Sequence, residues 1–194
     1  MASNLDFLVA FLLGILPGLV ILWASLRRFD RPQVDHTLFD DRRVFGSLAV
    51  GLIFGTVASI FALALPRRDL VSLSLAVGLI FGTVASIFAL ALPRRDLVSF
   101  AVAVGVSFVF EESFKLAWLN RRSYRGRFDT TFYGVPLGIG AAASGVVAAA
   151  WASREVLYVP ETFALLIVYS ISLGLVNADT GALIGFGASR GDTW

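Results

Sequence analysis

The chain has 194 residues, of which 57% are apolar, with a mean hydropathy of +0.81 and a formal net charge of +2. That apolar content is above the soluble range, and so small a charge offers no nucleic-acid surface. The chain has no cysteine, which excludes a disulfide frame and a thiolate metal site.

Apolar blocks of about 20 residues recur between short charged loops, the pattern of an all-α polytopic transmembrane bundle, one domain over residues 1–194. Of the 16 basic residues, all but one are arginines at the ends of the apolar blocks. The exception, Lys115, lies inside a block.

The first span is predicted over Leu5–Leu26, about 33 Å of helix. Met1–Asp6 has no Lys or Arg, and the apolar run is longer than a signal-peptide core, so the span is expected to be retained. Pro17, with Gly14 and Gly18, is expected to kink it. A mixed-charge loop follows from Arg27 to Arg43. It holds the only histidine, His36, which reads as a surface residue without partners for a metal.

An identical tandem repeat comes next. Residues 47–72 read SLAVGLIFGTVASIFALALPRRDLVS, and residues 74–99 read the same. Each copy predicts one span, about Phe45–Leu65 and Leu73–Leu92. Each carries a Gly-x-x-x-Gly face, Gly51/Gly55 and Gly78/Gly82, suited to close helix approach. Natural repeat arrays diverge, so two identical copies of a single span point to a very recent duplication, an engineered insertion or an error in the sequence.

Three more spans are predicted over Leu97–Leu119, Thr131–Ala152 and Thr162–Ser189, which makes six. The arginines argue that this is a five-span parent with one span duplicated. The first loop carries five, the loop after each repeat copy two, the 120–129 turn four, and Arg154 and Arg190 stand one apiece. Six crossings would divide them eight to seven between the two sides. Removing one copy divides them ten to three, a positive-inside pattern with a cytoplasmic C-terminus. The span over Thr131–Ala152 is rich in Gly and Ala and is expected to be buried among its neighbours.

Phe110-Glu111-Glu112-Ser113-Phe114-Lys115 lies in the fourth span. A charge at the centre of a bilayer costs at least ~2.5–3.5 kcal/mol, so ionisable residues there usually carry function. Both glutamates reach Lys115 on one helix side, at i,i+4 and i,i+3. The expected ground state is one ionised glutamate paired with Lys115 and one protonated. That state suits general acid/base chemistry, and it equally suits a structural ion pair. Asn177, Asp179 and Thr180 form a second polar cluster, in the last span. Asn177 and Asp179 stand about 200° apart on an ideal helix, so both face one site only if the helix unwinds.

Taken together, three blocks carry a resemblance. They are Glu-Glu-x-x-Lys, then Phe-Asp-Thr-Thr-Phe-Tyr-Gly-Val-x-x-Gly-x-Gly, then Asn-Ala-Asp-Thr-Gly-Ala-Leu-Ile-Gly-Phe-Gly. In order and spacing, over Phe100 to Ser189, the chain resembles the PrsW-type intramembrane proteases, relatives of the CAAX prenyl protease and bacteriocin-processing superfamily. The resemblance implies a helical bundle that cleaves peptide bonds of membrane-anchored proteins, in a prokaryotic cell membrane. The family's first motif falls on Glu111, Glu112 and Lys115. Its Phe-x-x-x-Glu motif falls on Ala141 and Gly145, and its histidine on Asn177, so two of three motifs are lost. The catalytic candidates are then Glu111 and Glu112 as base, Lys115, Asn177 as hydrogen-bond donor to an oxyanion, and Asp179 as a substitute acid. No cofactor or metal is implied, since the spans hold no histidine. Two other functions fit the same residues: a non-catalytic membrane protein that binds or scaffolds partners, and a small proton-coupled transporter.

Overall fold

The computed structural model describes residues 4–27, 39–64, 108–109 and 111–191. The second repeat copy, the span predicted over Leu73–Leu92, the first part of the Leu97–Leu119 span and His36 lie outside the described residues.

Helix α1 (Asn4–Arg27) is followed by α2 (Asp41–Ala64). After them come α3 (residues 111–119), α4 (Thr130–Ala152), a short 3-10 turn (Arg154–Val156) and α5 (Pro160–Ser189). Among the described residues there is no strand. Among the described residues three helices, α1, α4 and α5, are long and apolar enough to cross a membrane; the six spans predicted from the sequence are not supported. Helix α2 begins four residues before its predicted span and takes in Asp41, Arg42 and Arg43.

Helix α4 is the axle of the bundle, and α1, α2 and α5 all pack on it. Its small residues explain why. A Cβ on Gly134 or Gly138 would collide with the backbone carbonyl of Gly181 or Asn177 in α5. On its other side, Gly140 lies against the Leu48 carbonyl and Gly51 of α2. With apolar lipid outside, burial of apolar area does not draw helices together, and close backbone approach supplies the contact instead. The matched positions fix direction. Gly51 meets Leu137 and Gly55 meets Ser144, so α2 and α4 run parallel. Gly134 meets Gly181 and Thr130 meets Gly185, so α4 and α5 run antiparallel. Gly14 meets Ala143 and Gly18 meets Ile139, so α1 is antiparallel to α4. The outer flanks of α1 and α5 expose large apolar residues, among them Leu5, Val20, Leu165 and Leu183, a surface suited to lipid.

Polar contacts tie the two ends. At the start of α4, Tyr133 Oη donates to Asp129 Oδ2 at 2.7 Å and accepts the Asp40 N–H at 3.1 Å. Arg127 holds the same carboxylate through two bonds of 3.1 Å. Burial alone would raise the Asp129 pKa, but the hydrogen bonds from Arg127 and Tyr133 outweigh it and hold the carboxyl below its ordinary 3.8. Gly126 takes a positive φ of 71° and donates its N–H to the Ala188 carbonyl, which pins the 121–127 turn to the end of α5. At the opposite end, Tyr158 Oη donates to Asp6 Oδ1 at 2.7 Å.

Pro17 sits inside α1, whose helical assignment continues through it. Proline has no N–H, so the Leu13 carbonyl one turn earlier loses its helical partner. The buried Ser170 of α5 replaces that partner, donating its hydroxyl to Leu13 O at 2.7 Å. We expect Ser170→Ala to lower stability by about 1 kcal/mol in detergent unfolding. Adding Pro17→Ala should restore most of that loss, because an N–H returns to the carbonyl. A Ser170→Ala variant as stable as the parent would show that the bond does no such work.

Candidate functional site

Glu111, Glu112 and Lys115 lie on α3, on the side that faces α5. Helix α3 is held from the other side by α2, where Phe54 and Phe114 stack with centroids 3.7 Å apart and planes 6° from parallel. Leu119, fully buried, anchors the end of α3 in a cluster with Val44, Tyr133 and Leu137. The Arg121 guanidinium lies 3.7 Å above the Trp118 ring and marks where the helix reaches the polar end.

Lys115 is completely buried. Its ammonium donates to Glu112 Oε1 at 2.8 Å, Asn177 Oδ1 at 2.5 Å and Thr180 Oγ1 at 3.0 Å. An ammonium has three N–H bonds, so this set saturates it. Glu111 adds an ion pair, with Oε1 3.4 Å from Nζ. Thr180 also donates its hydroxyl to Glu112 Oε1 at 3.0 Å, closing a ring of Lys115, Glu112 and Thr180. Two carboxylates therefore face one cation. Glu111 Oε1 and Glu112 Oε2 are both buried without a hydrogen-bond donor, and one proton shared between the two side chains would balance the trio.

The second polar cluster divides. Helix α5 is unbroken from Pro160 to Ser189, so Asn177 and Asp179 stay on different faces. Asn177 is buried against Lys115 and Gly138. Asp179 is exposed on the far side, and the structure does not bring it to the cluster. The unwinding that would have joined them is absent. The residue that sequence reasoning passed over as a site member is Thr180. It stands three positions after Asn177, on the same helical face, and that spacing was the available signal.

Asn177 is also engaged at both ends of its amide. Its Oδ1 accepts from Lys115, and its Nδ2 donates to the Leu173 carbonyl of its own helix at 3.2 Å. The donor suggested for an oxyanion is thus turned into α5. Ala141 and Gly145 are buried on α4, with Ala141 backbone against Gly51 and Gly55 of α2. Those two positions bring no acid to the cluster. Among the described residues no three His, Cys, Asp or Glu side chains gather to hold a metal ion.

The cluster borders a cavity of about 440 Å³ between α3 and α5. Its wall is mostly apolar, formed by Phe108, Val109, Leu116, Leu183 and Ile184, with Glu112 and Ser113 as the polar members. Leu183 and Val109 are exposed on its rim, so it opens on the apolar flank of the bundle. Ser113 is occupied with the Val109 carbonyl at 2.7 Å. Glu112 therefore belongs both to the buried ring and to the cavity wall.

No family model, known protein or solved structure matches the chain.

We expect Thr180→Val to destabilise the protein by about 1–2 kcal/mol in detergent unfolding, since it removes an acceptor from Lys115 and a donor from Glu112. Asp179→Asn should change stability by less than about 0.5 kcal/mol. Equal effects of the two substitutions would contradict this assignment of the site.

Proposed function

We propose that this chain is an integral membrane protein that receives a peptide segment beside Glu112, and that the chemistry its site suits is glutamate-dependent hydrolysis of a peptide bond. In this reading the chain crosses a prokaryotic cell membrane through α1, α2, α4, α5 and the span that ends in α3. The substrate is a membrane-anchored protein, as the resemblance to PrsW-type proteases implies. The observation that carries the proposal is the double membership of Glu112. A purely structural ion pair has no need to line an open cavity.

The chemistry divides among few groups. Glu112, its Oε2 free of hydrogen bonds, is the base that would take a proton from water. Lys115 and Thr180 hold its other oxygen and orient the carboxylate. Glu111 beside them can keep the proton that balances the charge, and later return it to the leaving amine. The apolar wall of the cavity would exclude bulk water and receive the side chains of an extended segment.

A second reading has its own support. Lys115 is saturated and the Asn177 amide is held to the Leu173 carbonyl of its own helix, so neither is set as an oxyanion donor. Removing a preorganised oxyanion donor typically costs a factor of about 10²–10³ in rate. On this reading the cluster clamps α3 to α5, and the cavity binds a membrane partner without cutting it.

One assay separates the two. The purified protein is reconstituted with a single-span model substrate, and cleavage is followed for the parent chain and for Glu112→Gln. Hydrolysis predicts cleavage by the parent and a loss of at least about 10²-fold in the variant. Equal cleavage, or none by either chain while the substrate still co-purifies with both, sinks the hydrolase and leaves the binding protein.

A further inference from the structure

The two ends of the bundle differ sharply in charge. The described helices leave Arg27, Arg42 and Arg43 at one end, together with the 121–127 turn and its Arg121, Arg122, Arg125 and Arg127, and Arg190 after α5. Against these eight arginines the described residues of that end set only Asp40, Asp41 and Asp129. Among the described residues the opposite end carries one arginine, Arg154, against Asp6, Glu155 and Glu161. Contacts fix the grouping. Arg43 donates to the Ser123 carbonyl at 3.0 Å, Arg125 to the Gly191 carbonyl at 3.1 Å, and Asp40 reaches Tyr133 at the head of α4.

Aromatic rings stand directly under this arginine crown. Arg27 lies 4.7 Å from the centroid of the exposed Trp23, and Arg121 lies 3.7 Å from that of Trp118. A ring at the edge of the apolar zone with a guanidinium above it is the arrangement that suits a lipid headgroup layer. Helix α2 runs away from the crown and α3 runs back toward it. The described helices thus alternate as in a five-span chain, with the first loop, the 121–127 turn and the C-terminal end of α5 on one side.

We propose that this arginine-rich end is a docking surface for the anionic lipid headgroups of the cytoplasmic leaflet, and that it sets a single orientation of the bundle. The surface potential of that leaflet attracts basic residues near the membrane with about 1 kcal/mol each. The consequence for the site is its depth. Gly138, packed on Asn177, lies eight residues from the crown end of α4 and fourteen from the other, about 12 Å against about 21 Å. The Glu111–Glu112–Lys115 cluster therefore works in the cytoplasmic half of the bilayer. The orientation does not depend on whether the site hydrolyses anything.

Because the chain has no cysteine, single cysteines report orientation directly. Ser123→Cys lies in the crown turn and Glu155→Cys at the opposite end, both exposed. Each is expressed in the full chain in a bacterial cytoplasmic membrane and treated with a membrane-impermeant maleimide, in intact cells and in inverted vesicles. The proposal predicts that Glu155→Cys reacts from outside the cell and Ser123→Cys only in inverted vesicles. The reverse pattern, or labelling of both sites from both sides, overturns it. Adding Arg121→Gln, Arg122→Gln and Arg125→Gln to Ser123→Cys should produce a fraction that labels from outside. If labelling of that variant stays wholly on the inner side, the crown does not set the orientation.

Discussion

A buried ammonium cannot be left alone in an apolar bundle. Lys115 is wholly enclosed, and each of its three N–H bonds needs an acceptor. Those acceptors come from its own helix and from α5, so satisfying the charge also positions α3. The stacked Phe54 and Phe114 hold α3 on the α2 side, and Leu119 holds its end. Helix α3 thus owes its place to one cation and to apolar contacts around it. The same requirement explains why Asn177 is turned inward while Asp179, two residues later, is turned out.

The helix packing serves that site. Asn177 approaches Lys115 because α5 lies tight on α4, and it does so because Gly134, Gly138 and Gly181 leave room for backbone against backbone. Several interior polar groups follow one rule: backbone or side-chain partners replace the water that lipid cannot offer. Ser170 answers the carbonyl that Pro17 orphans, and Ser144 reaches the carbonyls of Gly140 and Leu52. Glu111 Oε1 and Glu112 Oε2, like Ser47 Oγ and Trp118 Nε1, are buried with no hydrogen-bond partner. Glu111 still pairs with Lys115 at 3.4 Å, and Glu112 lines the cavity, where an incoming ligand would satisfy its free oxygen.

Much of the architecture was legible in the sequence. Apolar block length gave α1, α4 and α5 to within a few residues, and the run of Gly and Ala from Gly134 to Gly145 marked the buried helix. The i,i+3 and i,i+4 spacing of Glu111, Glu112 and Lys115 announced their pairing, because helix geometry alone decides it. What lay beyond reach was tertiary. Whether α5 would unwind at Asn177 depended on the strength of its packing against α4. Thr180 has no chemical signature until a lysine is placed against it. Nor could spacing tell that both ends of the Asn177 amide would be engaged.

The central claim is that Lys115 and Asn177 join α3 to α5 through a direct bond. A double-mutant cycle of Lys115→Met and Asn177→Leu, read by reversible detergent unfolding, isolates that bond from the rest of each side chain. The account predicts a coupling energy of about 1 kcal/mol or more, with the double variant less damaged than the sum of the singles. Strict additivity of the two substitutions would contradict it.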